Sequence, residues 1–562
     1  MSYKLIEKAN NLLLKETGYV KKDWGGKISV ALVYPNTYYV GMSNLGLHVV
    51  YRKLNEYTHI VCERSFLPDK DDSNIYDVRR LSLFSLESKK NLYEFDFIAF
   101  CLSYESDYLN ILKILDWGNI PILAEDRKDD DVPIVCAGGI APTLNPEPIS
   151  KFIDFFVIGE AEEVLDELSE HLRRKYEAQK ETFLNELSTI EGVYVPSLYE
   201  VVNNADGTIK HYIPRQQTKK QIKKRWIPNL DEAPARTSLF TSCTEFGDIF
   251  TVEVNRGCAR SCRFCAAGHT YLPPRNVSLQ RFTHLLRDGL QYRNKLGLLG
   301  TAVCDHPDIA QYGDMVIEAG ATLSFSSLRA DTITPKIGQL LKASHQRTVA
   351  LAPETGSQKL RDLIGKGISE EDILEAVRIL FSHDVFNLRL YFMIGLPEET
   401  IDDLWEILRL IKKIKHSMIQ ISRPKGKIGK IHASINSFVP KANTPFQWYP
   451  MEDVGSLKEK TKFLRDHIRR LDNVSIDFDV PKWAFVQALL SRGDRKVADF
   501  LVHAFETGSN WQKTFKHLNV NPEFYVRRIR EENEVFPWDF IDSGVPKSYL
   551  LSEYTASLRT NK

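Results

Sequence analysis

Short apolar runs alternate with amphipathic segments through residues 27–181. Four runs have the length and composition of buried strands: Ile28–Tyr34, Phe95–Leu102, Pro133–Cys136 and Phe155–Ile158. Helical periodicity follows the first two. This alternation predicts an α/β domain with a doubly wound, Rossmann-like parallel sheet, in which ligands lie at the carboxyl ends of the strands. Five residues occupy loops at those ends: Asn36, Thr37, Ser103, Gly138 and Gly139.

The alternation stops near residue 182, and residues 182–240 are predicted to form a hairpin and a linker. Asn203–Gly207 carries an Asp-Gly turn signal between two short strand-like runs. A basic run follows the hairpin and contains Lys219, Lys220, Lys223, Lys224 and Arg225. We interpret it as a solvated linker, with a contact to an anionic ligand as the alternative.

Residues 241–450 contain six further units in which a strand precedes a helix. The strands are predicted near 249–255, 296–303, 321–328, 347–352, 386–394 and 430–438. The helices are predicted near 278–292, 308–319, 334–344, 356–364, 369–383 and 400–416. Thr334–Pro335 and Ser369 with Asp372 are start signals for two of these helices. Six such units predict a partial (β/α)6 barrel with its working face at the strand carboxyl ends.

The two ends of the chain have a helical pattern. Residues 1–26 are predicted to form an amphipathic helix, and residues 451–562 a helical C-terminal domain. The aromatic residues of that domain are expected to form a packed core rather than a stacking platform: Trp483, Phe485, Phe500, Trp511, Phe524 and Trp538.

Composition adds limits on location and partners. The chain is 43% hydrophobic and 26% charged, with 74 basic and 74 acidic residues, so its overall charge gives no reason to expect a polyanionic partner. Lys412–Lys430, the other basic stretch, supports nucleic acid only weakly. No apolar run approaches the ~20 residues that span a bilayer. Five scattered cysteines are typical of free thiols in a reducing compartment, so we predict a soluble, cytoplasmic protein.

Three cysteines lie within eight residues directly after the first predicted barrel strand: Cys258, Cys262 and Cys265. Thiolates at such short spacing can hold one inorganic centre. In a four-iron cube, three cysteines would leave one iron free for another molecule. The alternative is a structural zinc site with Cys243 or His269 as fourth ligand, although such sites more often use paired Cys-x2-Cys knuckles.

The spacing Cys258-x3-Cys262-x2-Cys265, with Phe264 before the last cysteine, resembles the signature of the radical SAM superfamily. The resemblance implies a [4Fe–4S] cluster on the three cysteines and S-adenosylmethionine on the fourth iron. Electron transfer from the cluster would then yield a 5′-deoxyadenosyl radical. No catalytic residue beyond the cluster ligands is predicted, and the resemblance implies an electron donor such as flavodoxin or ferredoxin.

The same resemblance implies that later strand ends contact S-adenosylmethionine. The predicted contacts are Phe264, Gly300, Thr301, Ser324, Ser326, Arg329, Glu354, Met393 and Gly395. Leu299–Ala302 replaces the Gly-Gly-Glu stretch of the superfamily and lacks its glutamate, so the methionine amine is expected to meet backbone carbonyls. Arg329 as a surface ion-pair partner and Glu354 as a helix N-terminal charge are the alternatives.

The doubly wound domain, ending in Ile158–Glu163, resembles that of cobalamin-binding radical SAM enzymes. Over nearly the whole chain the likeness is to a subgroup of uncharacterised members that share the phrases Ser491–Arg495 and Pro537–Gly544. It implies cobalamin as a third cofactor, at Asn36, Thr37, Ser103, Gly138 and Gly139. The alternative is a Rossmann-like domain that has lost the cofactor and only covers the barrel.

The first loop of this domain departs from the cobalt-ligating pattern. It lacks the Asp-x-His-x-x-Gly motif, so any cobalamin is expected to bind with its dimethylbenzimidazole tail in the crevice and no histidine on cobalt. Glu105 stands where the cobalamin-binding family has the leucine of its Ser-x-Leu motif. The lone His48 is interpreted as structural.

Asp305 and His306 follow the second barrel strand. We favour Asp305 as a helix cap, with contact to substrate as the alternative. For the whole chain, resemblance favours a radical SAM enzyme that transfers a methyl group to an unactivated carbon. The alternatives are radical rearrangement, cyclisation or sulfur insertion without cobalamin, and a non-catalytic, cluster-bearing module that binds RNA or protein.

Overall fold

The computed structural model describes residues 3–79, 81–215, 218–326 and 328–559. Within these ranges, no helix combines the length and the apolar character that crossing a membrane requires. The first helix is α1 (Tyr3–Leu14), shorter than the predicted 1–26, and it is followed by the short strand β1 (Glu16–Thr17).

The N-terminal part contains a six-stranded sheet in the order β3-β2-β4-β5-β6-β7. Its strands are β2 (Ile28–Tyr34), β3 (Ile60–Phe66), β4 (Phe97–Cys101), β5 (Ile134–Gly138), β6 (Phe155–Val157) and β7 (Val193–Tyr194). The first five are parallel, as predicted, and β7 is antiparallel to β6. Because the order reverses between β2 and β4, the ligand crevice of such a sheet lies where these two strands end. The sheet continues into the segment predicted as hairpin and linker, since β7 lies beyond residue 181.

Helices cover both faces of this sheet, so its central strands are buried on both sides. They are α2 (Tyr38–Gly41), α3 (Leu45–Glu56), α4 (Lys70–Arg79), α5 (Tyr108–Trp117), α6 (Ile140–Leu144), α7 (Ala161–Leu172) and α8 (Lys180–Leu187). The helical periodicity predicted after the first two apolar runs corresponds to α3 and α5.

The predicted hairpin is present as β8 (Tyr199–Asn203) and β9 (Ile209–Pro214), which pair antiparallel. In the following basic run, Lys220 and Lys223 are exposed, but Lys224 and Arg225 do not fit the interpretation of this run as a solvated linker. Its strand β10 (Ile222–Lys223) pairs with the C-terminal part of the chain, Lys224 is only 5% exposed, and the Arg225 backbone bridges to Gly159. A short strand β11 (Phe240–Thr241) then pairs with β1.

The barrel is built from two four-stranded sheets, β13-β12-β14-β15 and β16-β17-β18-β19. Its strands are β12 (Phe250–Arg256), β13 (Arg275–Asn276), β14 (Lys295–Gly300), β15 (Thr322–Phe325), β16 (Thr348–Glu354), β17 (Asn387–Ile394), β18 (Lys430–Ser437) and β19 (Val474–Phe478). An isolated parallel bridge between Leu328 and Leu351 joins the sheets. All six predicted strands are present. A seventh parallel strand, β19, pairs with β18 and was not predicted.

Helices alternate with these strands on the outside of the barrel. They are α9 (Ala266–Thr270), α10 (Leu279–Leu290), α11 (Ile309–Glu318), α12 (Pro335–Ala343), α13 (Gln358–Leu363), α14 (Glu370–Ser382), α15 (Ile401–Ser422) and α16 (Val454–Ile468). The predicted start signals are confirmed: Thr334 accepts from the Ile337 N–H, and Ser369 with Asp372 forms a capping box.

The last part of the chain packs across both preceding parts. Its elements are α17 (Pro481–Arg492), α18 (Val497–Glu506), α19 (Trp511–His517), α20 (Glu523–Val526), β20 (Ile541–Asp542) and α21 (Lys547–Arg559). Asn145 donates to the Ser491 and Gly493 carbonyls at 3.1 and 2.8 Å, which ties the N-terminal sheet to α17. The aromatic residues Phe485, Phe500, Trp511 and Trp538 are buried, as predicted, whereas Trp483 is 48% exposed.

Candidate functional site

The cysteine loop begins where β12 ends, at the carboxyl-terminal mouth of the barrel. Gly257 has φ +87°, and a Cβ there would lie 2.4 Å from the Tyr271 carbonyl oxygen. Only glycine therefore fits the turn from the strand into the loop. The loop ends at Cys265, which is the N-cap residue of α9, so strand and helix hold the loop at both ends.

This glycine gives a direct prediction. Gly257→Ala should cost about 1–3 kcal/mol for the backbone conformation alone and also displace the Tyr271 carbonyl. We expect reconstituted protein to bind less than half of the wild-type iron. Gly26→Ala is the matched control, because Gly26 also has positive φ (+68°) but nothing lies within 4 Å of its added Cβ. Wild-type iron content in Gly257→Ala would contradict the role given to this turn.

The three cysteines lie together in this loop with little access to solvent. Cys262 is 9% exposed, and Cys258 and Cys265 are half-buried. The Cys265 N–H donates to the Cys262 carbonyl at 3.0 Å, which folds the loop back on itself. Burial raises the pKa of Cys262 and raises that of Cys265 to about 11. Both thiolates therefore need compensating positive charge, which iron ions supply.

The zinc alternative requires a fourth ligand in addition to the three cysteines. Within the described ranges, no three His, Cys, Asp or Glu side chains are grouped closely enough to hold a single metal ion. His269 is buried, and its Nε2 lies 3.2 Å from the Cys262 carbonyl oxygen. In an iron–sulfur cube each cysteine binds its own iron, so the donor set of this loop fits a cluster better than it fits a tetrahedral zinc ion.

Gly300 and Thr301, two of the predicted contacts to S-adenosylmethionine, lie beside the cysteine loop. Thr301 Oγ1 accepts a hydrogen bond from the Gly257 N–H at 3.2 Å. A Cβ on Gly300 would lie 2.0 Å from Asn255 Oδ1, so the second strand end approaches the first very closely. Phe264 instead packs against an apolar cluster around Phe446.

Arg329 and Glu354 both lie near Lys366, which the sequence analysis missed. The Glu354 carboxylate pairs with Lys366 Nζ at 2.8 Å, and both side chains are largely buried. Arg329 pairs with Asp331 at 2.8 Å and donates to the Lys366 and Gly367 carbonyls. The positive charges of Lys366 and Arg329 favour the thiolate form of Cys262 and oppose the effect of burial on its pKa. The sequence signal that could have indicated Lys366 is its position between two glycines, Gly365 and Gly367.

The remaining predicted contacts are spread along the mouth. Ser324 is half-buried in β15, and Ser326 after it is exposed. Met393 is half-buried against the cluster around Phe446. The Gly395 N–H donates to Glu399 at 2.7 Å, and burial raises the pKa of Glu399 to about 7. These predicted contacts lie at or just after the carboxyl ends of β15 and β17.

Asp305 is not the helix cap that we favoured. Asp308 occupies the N-cap position of α11, and Asp305 forms two hydrogen bonds with Arg260 at 2.8 and 2.9 Å. Arg260 belongs to the cysteine loop, so Asp305 anchors that loop from outside. His306 is buried, with Nε2 3.0 Å from the Val277 carbonyl oxygen.

The loops of the N-terminal sheet form a crevice that faces the barrel. Ser103 accepts from Asn44 at 2.9 Å, and Gly139 has φ +117° with the Leu102 carbonyl oxygen 2.4 Å from an added Cβ. Asn36 is turned to Asp107 at 2.9 Å. Ser103, Gly138 and Gly139 line a cavity, whereas Asn36 and Thr37 are absent from its wall.

The departure at Glu105 has a structural explanation. This glutamate is 5% exposed, pairs with Lys441 at 2.6 Å and accepts from Ser491 at 2.8 Å. It therefore links the crevice to the barrel exit and to α17. His48 is structural, as interpreted: Nε2 lies 3.0 Å from the Met42 carbonyl oxygen, and burial lowers its pKa to about 4.

A cavity of about 590 Å³ joins the crevice to the cysteine loop. Its inner end lies between the sheet and two helices and is apolar, lined by Val30, Leu32, Phe97, Ala99, Phe155, Val49, Leu54, Leu165, Leu168 and Leu172. Its outer end lies against the barrel, lined by Lys224, Arg256, Cys265, Thr270, Tyr271, Gly300 and Thr301. A mostly apolar cavity with a few polar groups at one end is typical of a cofactor site.

Buried ion pairs fix the N-terminal sheet to the cysteine loop. Arg256, two residues before Cys258, pairs with Glu160, Glu162 and Glu253 at 2.7–2.8 Å. Arg275 forms two further hydrogen bonds with Glu160 at 2.7 and 2.9 Å. Glu160 and Glu162 belong to the Gly-Glu-Ala-Glu phrase at the start of α7, so this phrase connects the two parts of the site.

Comparisons with known proteins agree with this arrangement. Residues 46–196 match the family described as radical SAM proteins, N-terminal, and residues 252–411 match the radical SAM superfamily. An uncharacterised protein of Methanocaldococcus jannaschii is 29% identical over 531 residues, covering 93% of this chain and 99% of that protein. A tRNA-2-methylthio-N(6)-dimethylallyladenosine synthase of Bartonella quintana is 25% identical over 248 residues, covering 40% of this chain and 52% of that enzyme.

Among solved structures, the cobalamin-dependent S-adenosylmethionine radical enzyme OxsB with aqua-cobalamin bound is similar to this chain. The identity is 16% and the TM-score 0.48, over 85% of this chain and 66% of that one.

Proposed function

The chain belongs to the radical SAM superfamily, and we propose that it cleaves S-adenosylmethionine reductively at a [4Fe–4S] cluster held by Cys258, Cys262 and Cys265. The superfamily implies both of these cofactors. The observation that carries the proposal is the position of the three cysteines, in one loop at the carboxyl end of the first barrel strand, with Gly300–Thr301 beside it.

The bound cofactors would supply one electron from the reduced cluster to the sulfonium, which breaks a C–S bond and gives methionine and a 5′-deoxyadenosyl radical. The residues of this chain have other tasks. Gly257 and the Cys265 N-cap hold the loop, and Asp305 anchors its exposed Arg260. Lys366 places a positive charge near Cys262, which favours the thiolate ligand.

We further propose that the 590 Å³ cavity binds cobalamin. Its apolar inner end suits the dimethylbenzimidazole tail, and Ser103, Gly138 and Gly139 lie at the strand ends that face the barrel. Ser103 has a small side chain and the two glycines have none, so a flat ring could approach the backbone there. Because the cavity wall includes Cys265 and Gly300, a methyl group carried there would be close to the radical. Methyl transfer to an unactivated carbon is the reaction that this juxtaposition favours.

Cluster and S-adenosylmethionine can be tested together by electron paramagnetic resonance. Anaerobically reconstituted protein, reduced with dithionite, should show the signal of a reduced [4Fe–4S] cluster. Adding S-adenosylmethionine should change that signal, because it binds the open iron. An unchanged signal at saturating S-adenosylmethionine would contradict the proposed cofactor site.

Cobalamin is tested by filling the cavity. Wild-type protein should bind about one equivalent of hydroxocobalamin, seen in its visible absorption. Ala99→Phe should weaken binding more than tenfold, because a phenyl ring at β4 would occupy the apolar inner end. Ala205→Phe in the exposed hairpin turn is the matched control. If wild-type protein holds its cluster but binds no corrinoid, the cobalamin proposal is wrong. That result would support the alternative, in which the N-terminal domain only covers the barrel.

A further inference from the structure

Lys224 is a buried lysine whose side chain reaches into the cofactor cavity. It is 5% exposed, and Nζ donates to the carbonyl oxygens of Thr270 at 2.6 Å and Leu272 at 3.2 Å. An ammonium group has three N–H donors, so one remains after these two hydrogen bonds. Buried lysines are almost always paired with a carboxylate, whereas the hydrogen bonds of Lys224 go to neutral carbonyls.

The nearest acidic groups are engaged elsewhere. Burial lowers the pKa of Lys224 to about 8, and the charge of Glu160 partly offsets that shift. The two oxygens of Glu160 are bound by Arg275 at 2.7 and 2.9 Å, and Arg256 lies 2.8 Å from one of them. Asp542 also favours the charged form of Lys224. Lys224 therefore retains one N–H donor for which the described residues provide no hydrogen-bond acceptor.

Thr270 supplies a second unused polar group on the same wall. The residue is 4% exposed, and Oγ1 has no hydrogen-bond partner among the described residues. Burying a hydroxyl without a partner is unfavourable unless a ligand or a water provides one. Thr270 and Lys224 both line the 590 Å³ cavity, and Thr270 lies only five residues after Cys265.

We propose that Lys224 and Thr270 form an oxygen-recognition patch for the corrinoid in this cavity. This inference rests on the proposed function, because it presupposes that a corrinoid binds there. Lys224 would donate its remaining N–H, and Thr270 its hydroxyl, to an acceptor oxygen of the corrinoid. Two sources carry such an oxygen: the amide side chains of the corrin ring and the phosphodiester of the nucleotide tail.

The patch is tested by titrating two corrinoids into cluster-loaded protein and following visible absorption. Hydroxocobalamin has both oxygen sources, whereas hydroxycobinamide keeps the ring amides and lacks the nucleotide tail. Lys224→Met should weaken hydroxocobalamin binding about tenfold, as expected for loss of a charged hydrogen bond. Weakened binding of both corrinoids would assign the ring amides, and weakened binding of hydroxocobalamin alone would assign the phosphodiester.

Two further variants make the test robust. Thr270→Val is nearly isosteric and should weaken binding about threefold, even if Lys224→Met fails to fold after leaving two carbonyls without a donor. Lys223→Met is the matched control, because Lys223 is 60% exposed and paired with Glu191 at 3.1 Å. Iron content reports correct folding of every variant.

The failures of the two proposals are distinguishable. If wild-type protein binds hydroxocobalamin and both Lys224→Met and Thr270→Val bind it equally well, the oxygen-recognition patch is wrong and the cofactor proposal stands. If wild-type protein with full iron content binds neither corrinoid, the cofactor proposal fails and the patch fails with it.

Discussion

Replacing Cys262 by alanine is expected to abolish cluster assembly and, with it, cleavage of S-adenosylmethionine. Cys262 is the most buried of the three cysteines and its backbone carbonyl holds the loop through the Cys265 N–H. Two remaining thiolates do not retain a four-iron cube that needs three protein ligands. The measurement is iron and sulfide per chain after anaerobic reconstitution, with 5′-deoxyadenosine as the activity readout. We expect a fall below a tenth of wild type in both.

The matched control is Cys243→Ala. Cys243 is half-buried, like Cys258 and Cys265, and was the alternative zinc ligand, so its replacement should leave iron, sulfide and cleavage unchanged. Full iron in Cys262→Ala would refute the ligand assignment. Loss of metal in Cys243→Ala would support the alternative zinc site, in which this thiol is a ligand.

Arg256→Met is expected to destabilise the protein by about 3–5 kcal/mol, since removing one partner of a buried ion pair leaves the others uncompensated. Burial opposes the charge of Arg256, yet its three carboxylate partners raise its pKa well above the ordinary value. Without Arg256, Glu162 and Glu253 lose a partner, and the first strand loses its attachment to α7. The measurement is the change in the free energy of unfolding in urea, made on cluster-free protein.

Arg236→Met is the control for that change. Arg236 pairs with Asp288 at 2.5 Å, but both side chains are partly exposed, at 29% and 52%. Exposed pairs contribute about 0–1 kcal/mol, so this variant should unfold within that range of wild type. If both arginine variants cost the same, the buried network does not stabilise the junction between sheet and barrel.

Sequence reasoning recovered the elements whose signals are local. Apolar runs and helical periodicity predicted the strands Ile28–Tyr34 and Asn387–Ile394 and the helix Leu45–Glu56 to within a few residues. The cysteine spacing was an equally local signal. Strand β19 was missed because Val474–Phe478 is only five residues long and closely follows the charged helix α16.

Partners that are distant along the chain could not be predicted. Nothing in the basic run 219–225 indicates that Lys224 is buried, because its burial depends on the turn around Thr270 and on Gly159. Asp305 has the right sequence position for a helix cap, and only the fold shows that its carboxylate binds Arg260 instead. Glu105 likewise acquires its role from Lys441 and Ser491, more than 330 residues away.

The most direct test of the central claim is the fate of S-adenosylmethionine. Wild-type protein, reconstituted anaerobically with iron and sulfide and reduced with dithionite, should convert S-adenosylmethionine into 5′-deoxyadenosine and methionine in equal amounts. Cys262→Ala should produce none above the protein-free background. Absence of 5′-deoxyadenosine from wild-type protein that carries a full, reduced [4Fe–4S] cluster would contradict the account.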